Sequence, residues 1–191
     1  MKKTLLSLIL LVLQVCVFAQ TKTITLSQAG TLNTFISAED KTTLTDLTIN
    51  GPINGTDLAL LRFMCKEDYG GKLETLNLTN AKIVNGGKPY YADNERAYFT
   101  QDNIVGAYMF RFWSNLKTIS LPKEITKIEK GAFLGCLKLE TVNAYAELKF
   151  IGEKAFNNCT KLKIINVNPP HDIELHPKVF DPGVSWQDII K

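Results

Sequence analysis

The chain is 191 residues long, 45% apolar and 21% charged, with a formal net charge of +3 at pH 7. That length supports one core and is short for two, and so small a charge excludes an electrostatic case for nucleic acid. Residues 1–19 read as a secretory signal peptide, with Lys2 and Lys3, an apolar run from Leu5 to Leu13 broken only by Ser7, and Val17-Phe18-Ala19 as a small-residue exit. The run is short for a retained membrane span. Cys16 invites a lipoprotein reading, but Val15 stands where a small residue is wanted, so cleavage after Ala19 is expected and no membrane span remains after it. Without Lys2 and Lys3 the chain has 20 basic against 19 acidic side chains and three cysteines, Cys65, Cys136 and Cys159. An odd number in an exported chain does not imply a disulfide scaffold.

Residues 20–43 read as an N-terminal capping coil. Thr21 to Leu26 alternates polar and apolar residues, which suits a half-buried strand, and Leu32, Phe35 and Ile36 then recur at helical spacing. The next ribbon is Leu44-Thr-Asp-Leu47-Thr-Ile49, and Ile24 to Leu47 is 23 residues. Asn50-Gly51-Pro52 and Asn54-Gly55 are turn signals. Thr56 or Asp57 is expected to cap a helix with Leu58, Leu61 and Met64 on one face. The third ribbon, Leu73 to Leu78, follows after 29 residues (Leu47 to Leu76), and the fourth, at Ile119, after 43, which is one coil plus an insertion.

From Leu116 the pattern is strict. Leu116-Lys-Thr-Ile119-Ser-Leu121 returns as Leu139 to Ala144 and as Leu162 to Val167, at intervals of 23 residues, with Ile128, Ala132, Phe133 and Cys136 matched by Ile151, Ala155, Phe156 and Cys159. Val105-Gly106-x-x-Met109-Phe110-x-x-Trp113 has the same offsets, which places the insertion at about 84–101 within repeats spanning 44–168. Six ribbons at about 4.8 Å spacing make a parallel sheet roughly 25 Å across. One coil cannot fold alone, so neighbours must share a continuous spine of Phe110, Phe133 and Phe156. After Pro169-Pro170, residues 169–191 are expected to cap the last edge with Ile173, Leu175, Val179, Phe180 and Trp186.

The unit L-x-x-I/V-x-L/V followed by I-x-x-I-G-x-x-A-F-x-x-C resembles the 23-residue leucine-rich repeat of the BspA-like bacterial surface proteins. Ile53-Asn-Gly-Thr-Asp57-Leu58, Leu73-Glu-Thr-Leu-Asn-Leu78 and Pro89-Tyr-Tyr91 are similar to the N-terminal part of the family's short exported members. The resemblance implies an α/β repeat fold, a right-handed leucine-rich-repeat solenoid with the parallel sheet of about six short strands on its concave face. It implies adhesion at the cell surface or binding of host matrix proteins or glycans, and neither catalytic residues nor cofactors. Three departures stand out: Glu129 replaces Gly106 and Gly152, so that corner does not require a glycine; Trp113 replaces the cysteine; Ala144 thins the fifth ribbon.

Cys136 and Cys159 share a register at a separation compatible with a disulfide, yet Trp113 in the same slot favours buried thiols. His171 and His176, beside Asp172 and Glu174, match no standard zinc spacing and read as a solvated capping loop. No nucleophile-and-base motif occurs, so the chain reads as non-enzymatic. Period-two geometry points Thr25, Thr48, Asn77, Ser120, Asn143 and Asn166 outward, with Tyr145 in an adjoining row. Ladders on an exposed strand face explain most of them; a protein or glycan ligand, held by hydrogen bonds and stacking on Tyr145, is the functional reading. The second candidate patch is the insertion with Tyr90, Tyr91, Tyr98 and Phe99, whose rings either meet a partner or cover the flank.

Overall fold

The computed structural model describes residues 19–191, so the expected signal peptide, Ala19 apart, lies outside the described residues. In chain order the first half forms strand β1 (Thr21–Thr25), the short helix α1 (Asp40–Thr43), strand β2 (Asp46–Ile53), helix α2 (Gly55–Met64), and strands β3 (Thr75–Asn77) and β4 (Ala81–Ile83). Strands β5 (Gly86–Ala92), β6 (Ala97–Thr100), β7 (Ile104–Val105), β8 (Thr118–Ser120), β9 (Lys127–Ile128) and β10 (Thr141–Tyr145) follow. The chain closes with β11 (Phe150–Ile151), β12 (Ile164–Asn168), β13 (Glu174–Leu175) and α3 (Trp186–Ile189).

Six of these strands make one parallel sheet in the order β1-β2-β3-β8-β10-β12, with β4 paired to the far end of β2. Each ribbon contributes alternate apolar residues inward, and Leu47, Leu76, Ile119, Val142 and Ile165 lie opposite one another and are fully buried or within 1% of it. A second parallel sheet, β13-β11-β9-β7, runs along the other side of the repeats. Its strands are only two residues long, because each is a single rung between two turns. The core fills the space between the sheets, with Phe110, Phe133, Phe156 and Phe180 stacked at 4.9, 5.0 and 5.8 Å between ring centres. The spine expected from three phenylalanines therefore continues into the tail. There Glu174–Leu175 pairs with Phe150–Ile151, and Val179 is buried as Ala155 is.

The first coil differs from its expected spacing. Thr21 pairs with Asp46 and Ile24 with Ile49, a register of 25 residues instead of 23. A slip of two keeps every side chain on its own face, so polarity alone could not separate the two registers. The actual register puts Lys22 opposite Leu47, and its ammonium caps the end of the core by bonding the Phe35 carbonyl at 2.8 Å and Asp40 at 2.6 Å. Around Leu32 the chain makes only one 3-10 turn, and Phe35 points outward at 46% exposure.

Helix α2 begins two residues earlier than a cap at Thr56 would place it. Asn54 is the N-cap: its side chain accepts from Thr56 N at 2.9 Å, and Asp57 returns a bond from Asn54 N at 3.0 Å. The Asp57 carboxylate is 1% exposed and also accepts from Gly30 N and Leu32 N, so it ties the first coil to the helix. At the tail, Trp186 does not cover the edge, being 48% exposed. Ile190 and Lys191 pair with Ile165 and Val167 of β12 instead.

The turns between the sheets explain why Glu129 can stand in place of a glycine. The left-handed backbone falls at Tyr108, Gly131 and Lys154, and again at Phe112, Gly135 and Asn158, all with φ between 55° and 73°. Gly106 and Gly152 are not left-handed. They are small because Tyr90 and the Lys130 backbone approach them closely.

Candidate ligand-binding faces

The outward side of the six-stranded sheet carries the polar rows. Pairing aligns Thr23, Thr48, Asn77, Ser120, Asn143 and Asn166 in one of them, so the row begins at Thr23 where Thr25 was expected. Within it Asn143 Nδ2 donates to Ser120 Oγ at 3.0 Å and Asn166 Nδ2 donates to Asn143 Oδ1 at 2.8 Å. Asn143 is therefore held at both ends of its amide, and Asn166, at the end of the ladder, keeps its Oδ1 for a ligand. Asn77 stands apart from this ladder, since its Oδ1 accepts from Thr79 N at 3.0 Å.

Tyr145 lies in the adjoining row, opposite Asn168. It is half-buried, and its hydroxyl meets the Thr79 hydroxyl at 3.0 Å, two rungs away. Beside it opens a cleft of about 430 Å³ lined by Asn143, Tyr145, Asn166, Asn168, Pro170 and Lys191 among others. The cleft brings together three of the expected site residues, Asn143, Tyr145 and Asn166. Ser120 reaches it only through the ladder.

The insertion is an antiparallel hairpin of β5 and β6. Tyr90 was expected as a contact residue, and the structure corrects this: it is 3% exposed, its ring packed in the core and its hydroxyl donating to the Ala107 carbonyl at 2.9 Å. Burial, with Glu129 nearby, pushes that hydroxyl's pKa up, so it remains a donor. Tyr91 and Tyr98 face one another across the hairpin at 5.5 Å, and Tyr98 meets Tyr108 edge-on at 5.4 Å. Phe99 points away and is 52% exposed.

Arginine organises this cluster, and the sequence reading missed it. The chain has only three arginines, Arg62, Arg96 and Arg111, and all three meet the hairpin's tyrosines. Arg62, projecting from α2, donates to the carbonyls of Tyr90, Tyr108, Met109 and Arg111 at 2.8–3.2 Å and lies under the Tyr91 ring at 5.0 Å. Burial pulls its pKa down to about 10, which leaves it charged at neutral pH. Arg111 donates to the Tyr91 hydroxyl at 2.6 Å, and Arg96 stacks over Tyr98 at 4.5 Å. Planar guanidinium groups can bond and stack at once, which lysine cannot do. The rarity of arginine among 19 lysines was the signal available in the sequence.

Among the described residues the cysteines Cys65, Cys136 and Cys159 are free and buried. Cys136 Sγ donates to the Phe110 carbonyl at 3.0 Å and Cys159 Sγ to the Phe133 carbonyl at 3.1 Å, so each thiol bonds the coil before it. Desolvation pushes Cys136 up to about 12 and raises Cys65 and Cys159 as well. His171 contacts the Leu148 and Pro169 carbonyls, and His176 accepts from Lys178 N. Among the described residues no group of three or more histidine, cysteine, aspartate or glutamate side chains is placed to hold a metal ion. No helix among them is long and apolar enough to cross a membrane.

Residues 99–183 match the family model of the BspA type leucine rich repeat region, in six copies. That stretch is a BspA-type repeat region, as its resemblance implied, and it extends past β12 into the tail. A search of curated proteins gave no match.

Proposed function

We propose that this chain is an exported, non-catalytic leucine-rich-repeat protein, wound as a solenoid, that binds a protein partner on its concave strand face. The hairpin is a second contact surface, and cell-surface adhesion is the setting. The observation that carries this reading is the Ser120–Asn143–Asn166 ladder, which leads into the open cleft beside Tyr145. A preformed row of amides loses little side-chain entropy when it meets a ligand backbone. The BspA-type repeats support a binding role and an exported location.

A glycan ligand is the second reading, favoured by the one aromatic ring set among three asparagines at that cleft. Two experiments separate them. Immobilised residues 20–191 should capture a protein partner that a chain carrying Asn143→Ala with Tyr145→Ala does not, at equal thermal stability. On a glycan array the same chain should be silent; selective sugar binding lost in the double variant would replace the protein by a glycan. Capture that is indifferent to the double variant removes the strand face from the reading.

A further inference from the structure

The two edges of the hairpin differ. Helix α2 occupies the β5 edge: Thr56 Oγ1 accepts from Lys88 N at 3.0 Å, and Arg62 Nε donates to the Tyr90 carbonyl at 3.1 Å. Gly55 lies so close to the Lys88 carbonyl that any side chain there would overlap it. Among the described residues no strand pairs with the outer edge of β6, since the sheet contains β5 and β6 alone. Along β6 lies a cleft of about 440 Å³ lined by every residue from Arg96 to Gln101, by Asn85 and Tyr90, and by Ala107 and Glu129 of the neighbouring turns. Side chains of one strand face would supply only every second residue. A run of six consecutive residues means that the cleft follows the strand's backbone edge.

We propose that β6 accepts an extended segment of a protein partner as a third strand. This rests on the reading of the hairpin as a contact surface and adds the mode of contact. Backbone pairing along an open edge supplies affinity without side-chain specificity. Two side chains add the specificity. Phe99, 52% exposed, offers an apolar contact. Arg96 stacks on Tyr98 and forms no ion pair among the described residues, so it selects a carboxylate. Glu129, which lines the same cleft and pairs with Lys127 at 3.4 Å, disfavours a second acid there. The segment is therefore strand-forming, apolar at alternate positions, and acidic at the end that meets Arg96.

The probe is an eight-residue peptide of alternating valine and threonine with one aspartate near its end, titrated into residues 20–191. The control is the same peptide N-methylated at alternate amides. Saturable binding is expected, weakened at least about tenfold by N-methylation and weakened by Phe99→Ala and by Arg96→Ala. Amide hydrogen exchange at 96–100 should slow, and Asn143→Ala with Tyr145→Ala should leave peptide binding intact, which separates this test from that of the strand face. Absence of binding at millimolar peptide, equal binding of the N-methylated control, or protection confined to β1 would overturn the proposal. Concentration-dependent protection of β6 without peptide would do so too, since the occupant would then be a second copy of this chain.

Discussion

Replacing Arg62 by methionine keeps an unbranched apolar stem as far as the ε position and removes the guanidinium. In the folded protein that group satisfies four carbonyls belonging to the hairpin and to the Tyr108–Arg111 turn. Tyr108 O keeps another donor, the backbone N–H of Arg111. The carbonyls of Met109 and Arg111 keep none among the backbone bonds of the turn. Two buried carbonyls left unpaired cost about 1–3 kcal/mol each, offset in part because a buried cation no longer has to be desolvated. A net loss of about 3 kcal/mol lowers Tm by roughly 6–12 °C in a protein of this size. Thermal unfolding followed by near-ultraviolet circular dichroism reads both the midpoint and the loss of ordered tyrosines. Limited proteolysis should cut the Asp93–Arg96 turn faster in Arg62→Met. A midpoint within about 2 °C of the parent, with the turn equally protected, would refute the role assigned to Arg62.

The left-handed turn positions make opposite demands on neighbouring coils. Gly131→Ala should destabilise by about 1–3 kcal/mol, since φ is 59° there and a new Cβ would meet the Tyr108 ring at 2.5 Å. Lys154→Gly, at φ 55°, should leave stability unchanged or raise it by up to about 1 kcal/mol; chemical denaturation of both variants checks the pair. Thiol reagent at pH 8 should find no reactive cysteine in folded residues 20–191 and three after unfolding without reductant; a single thiol would mean that Cys136 and Cys159 are bridged. The Lys22 hydrogen bond and ion pair hold the Asp40 carboxyl below its ordinary pKa. Its contribution is therefore present above the ordinary carboxylate range and lost as pH falls through the lowered value. Lys22→Met should flatten that part of the acid limb of a stability–pH curve, and an unchanged limb would show that the pair carries none of it.

The regular part of this fold was legible because it is repetitive. Leu47, Leu76, Ile119, Val142 and Ile165 announce their own alignment, and the observed pairings follow it across an insertion and an unequal coil. Where a rule of alternation had two equivalent solutions, the spacing was misleading: β1 sits two residues from its expected register, with Lys22, not Ile24, beside Leu47. The two-residue rungs of the second sheet carry no strand signal of their own. Only the matched Ile128 and Ile151 pointed to them, and Leu175 with Val179-Phe180 extends the same pattern into the tail.

The candidate faces were less legible, for a different reason. Outward polar residues were identifiable from period two, yet their partners were not, so the tie between Tyr145 and Thr79 was invisible. In the insertion four neighbouring aromatic residues divide three ways. Tyr90 belongs to the core, Tyr91 and Tyr98 to an arginine stack, and Phe99 to the surface. Hydrophobicity ranks them alike; what separates them is Arg62, 28 residues away in sequence from Tyr90.

The most direct measurement is the affinity of a captured partner for three chains: the parent, Asn143→Ala with Tyr145→Ala, and Phe99→Ala with Arg96→Ala. The expected result is a loss of at least about tenfold for the strand-face pair, as for removal of two central polar contacts. The hairpin pair should show a separate, smaller loss, with all three melting alike. Equal affinity for parent and strand-face pair, at equal stability, would contradict the central claim that this protein reads its partner from the outward side of its six-stranded sheet.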